Sequence, residues 1–154
     1  MDHTVLHRRL AADLSTTMIY AILRLRIEVL VVEQSHPYQE LDGLDLHRTT
    51  RHYWLAPPDA IEDPQATLRL EEPSHRQFRV GRICALPQAR RQGAVERLLE
   101  AALGEIGDAP CLVDARLDCV EMFTGFGFVV EGEKCTEGGV ARVPMRRDAS
   151  ARIR

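Results

Sequence analysis

Arg90, Arg91 and Gly93 stand in QARRQGAVERLLEAAL, residues 88 to 103, directly ahead of apolar residues spaced like one face of a helix. The first amides of a helix lack partners, the helix dipole is positive there, and glycine lets a phosphate approach the backbone with no Cβ in the way. Phosphate binding is therefore one expectation for this stretch. The other is a plain helix start, because many strand-to-helix connections carry arginine and glycine. Proton-transfer candidates lie elsewhere: Glu33, Asp42, Asp45 and Asp114 can each accept a proton, and each also suits a solvated loop or a helix cap. Cys84 and Cys119 have no paired base assigned by sequence, so buried thiols are expected rather than nucleophiles.

These side chains need elements to hold them. TVLHRRL, residues 4 to 10, reads as a short edge strand. Ser15 is placed to cap a helix carrying Met18, Ile19, Ile22 and Leu23 at helical spacing and running through Leu25. IEVLVVEQ is partly β-branched, yet it ends in Glu33 and Gln34 before the turn-prone SHPYQELDGLD, so both a strand and a second short helix remain open. RHYWLA (51 to 56), ATLRLE (66 to 71) and FRVGRICAL (78 to 86) read as an antiparallel meander. In the last, Phe78 and Val80 share one parity and Ile83 and Ala85 the other; one extra residue near Gly81, a β-bulge, explains the change of phase.

After Pro87, Val95, Leu98, Leu99, Ala102, Leu103 and Ile106 form one stripe of a helix, and CLVDA (111 to 115) follows as a strand. Strand, helix, strand is a right-handed crossover, so the segments 78 to 86 and 111 to 115 should lie parallel. DCVEMFTGF reads as a last helix, then a hairpin of FVVEGE and VARVPMR around Glu137, Gly138 and Gly139. One domain over residues 1 to 147 is expected, with a polar tail from 148 to 154.

Composition narrows the partners. With 154 residues and 45% hydrophobic content the chain can bury a core without disulfides or metal. The 20 basic and 23 acidic residues give a net charge of -3, which attracts neither nucleic acid nor an anionic membrane. The four cysteines show no metal-site or redox spacing, no apolar run approaches a membrane span of about 20 residues, and Met1 to Leu10 is charged rather than signal-like. No metal, no membrane and a cytoplasmic location are the expectations.

A bulged strand ahead of a phosphate cradle splays its neighbour and leaves amides for an extended ligand such as pantetheine. Here VGRICALPQARRQGAVERLL resembles the strand, Arg-x-x-Gly-x-Gly loop and helix of the GNAT superfamily of coenzyme A-dependent N-acetyltransferases. More narrowly, IYAILRLRIEVLVVEQSHPYQELDGLD with Thr50, Arg51 and His52, and the later FTGFGFVVEGE and EGGVARVPMRR, resemble the bacterial ElaA-like branch.

The resemblance implies a GNAT-type α/β fold: a mixed, mostly antiparallel sheet with one splayed parallel strand pair and helices on both faces. It implies transfer of an acetyl group from acetyl-CoA to a primary amine by direct attack, on a small-molecule or peptide acceptor, in a superfamily where homodimers are common. Cys84, Ala85, Leu86, Arg90, Arg91, Gln92, Gly93, Ala94 and Val95 then fall at the cofactor. Glu33 and Asp114 are the candidate bases, and Tyr38, Asp42, Arg116 and Arg142 fall at the acceptor.

The chain departs from the pattern at this end. Val95 stands where the branch usually has glycine, and Phe123 where the superfamily often has the tyrosine that protonates the departing thiolate. Arg116, Asp118 and Arg142 replace a glutamine and two histidines. Two expectations compete: an enzyme with an altered, more acidic acceptor, or a non-catalytic acyl-CoA-binding protein.

Overall fold

The structure, a computed structural model, describes residues 3–148. Of the expected tail, 149 to 154 lie outside the described residues. The edge strand β1 (Val5–Leu10) leads to helix α1 (Thr16–Arg26), opened as expected by Ser15, whose Oγ accepts the Met18 N–H at 3.0 Å. Residues Ile27–Glu33 settle the ambiguity of IEVLVVEQ: the helix continues without interruption but widens into a π-helical segment. Burial of Val29 and Leu30 against Leu25 and Cys84 overrides their β-branched or aliphatic strand preference.

Strands β2 (Arg51–Ala56), β3 (Ala66–Ser74) and β4 (Gln77–Ala85) form the antiparallel meander. Alternation sorts β2 between two layers. Tyr53 and Leu55 join the core under helix α3 (Ala94–Ile106), with Leu68, Leu70, Leu98 and Leu99. Trp54 and Ala56 pack with Met18 and Ile22 of α1 on the opposite face. Helices thus cover both faces of an eight-stranded sheet ordered β1-β2-β3-β4-β5-β8-β6, where β5 is Cys111–Arg116, β6 Val129–Val130 and β8 Val140–Arg147.

The change of phase in β4 is a bulge. Thr67 faces Cys84 and Arg69 faces Gly81, so two steps on β3 span three on β4. The residue in left-handed backbone is Arg82 (φ 48°), next to the glycine that the sequence singles out. The bulge swaps the edge to which alternate amides point. Phe78 N–H donates to Pro110 O on the β5 side at 3.1 Å, whereas Leu86 N–H, also even-numbered, donates to Gln65 O on the β3 side at 2.9 Å. Beyond the bulge, Ile83 and Ala85 therefore aim their amides toward β5.

Those amides meet no strand. The parallel ladder of β4 and β5 ends at Arg79↔Leu112, and the strands diverge. Pro87–Arg91 then form a short helix, α2, with proline at its first turn, where the expectation was a loop; Arg90 and Arg91 sit at its end. Helix α4 (Val120–Gly125) follows β5 and a single 3-10 turn. The expected hairpin is split. Strand β7 (Cys135–Glu137) supplies the arm next to the Gly138–Gly139 turn, and the FVV segment pairs further along β8 as β6.

Candidate active site

The divergence of β4 and β5 opens a cleft of about 500 Å³, in the range of small-molecule sites. Val29, Leu30 and Glu33 of the π-helical segment wall one side, and Val95 and Glu96 at the start of α3 another. Phe123, Met122, Arg116 and Arg142 close the end nearest β5 and β8. The widened π turn carries Val29, Leu30 and Glu33 toward the bulged strand.

A buried charge cluster fixes the loop over residues 34 to 45 against that strand. Arg26 of α1 donates from Nε to Glu40 Oε1 at 3.2 Å and also pairs with Asp45. Arg69 of β3 binds Asp42 at 2.8 Å, Asp45 at 3.1 Å and Glu71 at 3.1 Å. Arg82, the bulge residue, binds Glu40 Oε2 at 2.6 Å and Asp42 at 3.2 Å. His52 completes the cluster, with Nε2 2.9 Å from the Asp45 carbonyl. Burial lowers the pKa of His52 and outweighs that hydrogen bond, so the ring is neutral with Nε2 donating.

Asp42, expected at the acceptor, is thus a member of the cluster and lies outside the residues that line the cleft. Burial alone would raise its pKa, but hydrogen bonds from Arg69 and the Leu44 amide, with the charges of Arg69 and Arg82, hold it at about 2. Such a carboxylate takes no proton near neutrality.

A bulged strand, diverging parallel neighbours and a free helix start in one cleft form a recurrent arrangement, and residues 67–149 match the acetyltransferase (GNAT) domain model. The chain belongs to the GNAT family. A UPF0039 protein of Mycobacterium tuberculosis is 45% identical over 96% of both chains. An acyl-CoA N-acyltransferase structure from Pseudomonas aeruginosa superposes with a TM-score of 0.86 at 35% identity, covering 94% of this chain and 99% of that one. Escherichia coli ElaA superposes at 0.85 and 26% identity, covering 94% and 99%. This is an ElaA-like GNAT protein with the acyl-CoA N-acyltransferase fold.

Within the GNAT cleft, the positions expected at the cofactor divide. Cys84, Ala85, Arg90 and Val95 line it; Leu86, Arg91, Gln92, Gly93 and Ala94 do not. The amides of Leu86, Gln92 and Gly93 are already committed, to the carbonyls of Gln65, Ala89 and Arg90. The amides left without helical partners are those of Ala94 and Val95, which were expected at the cofactor, and of Glu96, which was not. Gly93 is required by its backbone (φ 77°), where an L side chain is strained. Arg90 spends its charge on Glu33 at 2.9 Å.

Burial pushes the Cys84 thiol up to about 12, which removes it as a thiolate nucleophile. Phe123 is buried edge-on to Phe128, with ring centroids 5.4 Å apart. Asp114 lines the cleft and pairs with Arg79 at 3.2 Å. Tyr38 also lines it; burial and the neighbouring Glu40 push its hydroxyl up to about 12, and it donates to Glu40 Oε2 at 3.2 Å. The turn after β7 rests on this ring: a Cβ on Gly138 (φ 59°) would come within 2.9 Å of Tyr38 Cβ.

The buried partners Arg26, Glu40 and Arg69 were not among the residues expected at the site. A signal for Arg26 was present, since it falls four residues after Ile22 and four before Leu30, on the apolar stripe of its helix. No helix among the described residues is long and apolar enough to cross a membrane. Among the described residues, no group of three or more His, Cys, Asp or Glu side chains could hold a metal ion.

Proposed function

We propose that the protein is an N-acetyltransferase that uses acetyl-CoA and a primary amine. The observation that carries this is the edge of β4 beyond Arg79, where the ladder to β5 stops and alternation turns the amides of Ile83 and Ala85 toward the gap. A strand edge of this kind fits the extended, amide-bearing pantetheine arm. The free amides of Ala94, Val95 and Glu96 suit its diphosphate, although the Val95 side chain and the Glu96 carboxylate narrow that end. Bound there, the cofactor supplies an activated acetyl thioester.

The chain's own part is to polarise, position and move protons. The Ala85 amide is the donor placed to polarise the thioester carbonyl, with Ile83 two residues before it, because Cys84 and Leu86 point to β3. Glu33 and Asp114, two of the carboxylates that line the cleft, take the amine proton through water, each while paired with an arginine, Arg90 and Arg79. Phe123 has no proton to return, so the thiol leaves as thiolate, which a pKa of roughly 8.5 permits near neutrality. A cytoplasmic setting, where its four free cysteines stay reduced, fits this chemistry.

The absent hydroxyl at Phe123 favours a second reading, a non-catalytic acyl-CoA-binding protein. Thermal melting and thiol release separate them. Acetyl-CoA at about 100 times its dissociation constant should stabilise the fold by about 2.7 kcal/mol. A melting temperature unmoved at millimolar cofactor would sink both readings, and a shift without thiol release on a panel of amines would leave the second.

A further inference from the structure

Four guanidinium groups line the cleft: Arg82, Arg90, Arg116 and Arg142. Three are neutralised by carboxylates, Arg82 by Glu40 and Asp42, Arg90 by Glu33 and Arg116 by Asp118. Arg142 is not. Its Nη1 donates to the backbone carbonyl of Asp114 at 3.3 Å, while the Asp114 carboxylate turns to Arg79. Its Nε is shielded from solvent with no acceptor among the described residues. A buried donor left unsatisfied is costly, and a guanidinium left without a counter-charge in a partly enclosed cleft more so.

The position of Arg142 gives the imbalance a direction. It stands directly opposite Arg116 in the β5–β8 register, a cross-strand pair of like charges of which Asp118 offsets only the Arg116 side. Arg142 also acts electrostatically on Tyr38 across the cleft and on Cys119, which places its charge at the end where Phe123 stands. Nη1 is held by the Asp114 carbonyl, and no carboxylate among the described residues pairs with this guanidinium. A guanidinium that lines a cleft without a counter-charge is matched by a carboxylate.

We infer that Arg142 is the specificity residue for an acceptor that carries a carboxylate beside its amine, the class that includes free amino acids. This rests on the transferase reading of the same cleft. The carboxylate pairs with the Arg142 guanidinium, and the amine is left to face the thioester carbonyl that the Ala85 amide polarises. A neutral amide in place of the carboxylate leaves Arg142 uncompensated, so the site rejects it.

The test compares glycine, glutamate and serine with their carboxamides, by thiol release from acetyl-CoA and, separately, by calorimetric binding to the full chain. Free acids should be preferred at least about tenfold in kcat/KM or in affinity. In Arg142→Gln that ratio should fall toward unity, mainly through KM, and Arg142→Lys should restore part of it. Melting temperatures of both variants check that the fold is kept. Acids that bind selectively through Arg142 without thiol release would uphold the inference while overturning the transferase reading. Equal treatment of acids and amides, or binding of neither, would overturn the inference, and thiol release with no such preference would do so while upholding the transferase.

Discussion

The loop cluster and the Arg142 end of the cleft both rely on arginine, and they use it in opposite ways. Around Glu40, Asp42 and Asp45 each guanidinium meets at least two carboxylates, and the charges are enclosed by α1, β3 and β4. At the end of the cleft beside β5 and β8, Arg142 has only a carbonyl. A satisfied buried charge fixes shape. An unsatisfied one beside a cavity is held ready for a ligand, at a cost to the fold.

The largest test of that contrast is Glu40→Ala. It strips Arg26 and Arg82 of a shared partner and leaves charge buried, so unfolding in urea should show a loss of about 3–5 kcal/mol. A loss below about 1 kcal/mol would mean that the cluster does not fix the loop.

Phe123→Tyr probes the other region. If thiolate departure limits turnover, a hydroxyl beside the cleft should speed thiol release at least about tenfold, where a well-placed general acid contributes about 10²- to 10⁴-fold. No change would place the limiting step before departure.

Val95→Gly should give a smaller, mixed result. Coenzyme A binding tightens several-fold by calorimetry as the first turn of α3 opens, and the melting temperature falls because a glycine near a helix start loses packing and gains chain entropy.

The pH dependence of stability is the mildest test. His52 is neutral in the folded chain, so the unfolded chain binds the extra proton and stability declines as pH falls below 6.5. His52→Gln should flatten that limb in urea titrations. A second decline, between pH 3.8 and about 2, belongs to Asp42, whose depressed carboxyl stabilises the fold above that window and is lost as it protonates.

The scaffold was legible because its signals are local. The exchange of parity between Val80 and Ile83 announces the bulge within four residues, and the stripe from Val95 to Ile106 announces α3. The cluster was not legible, because its pairs join Arg26 to Glu40, Asp45 to Arg69 and Asp42 to Arg82, across 14, 24 and 40 positions. Only the folded meander brings them together. The short helix α2 was missed for a different reason: Pro87 at its start reads equally as the end of a strand, and five residues show no periodicity.

One contact links the two regions. Gly138 lies against Tyr38 so closely that a methyl group would not fit, and Arg142 follows four residues later on the same hairpin. The loop that carries the satisfied charges is therefore the stop against which the strand carrying the unsatisfied one comes to rest. How near the hairpin that bears Arg142 settles to the loop is set by the width of a missing side chain.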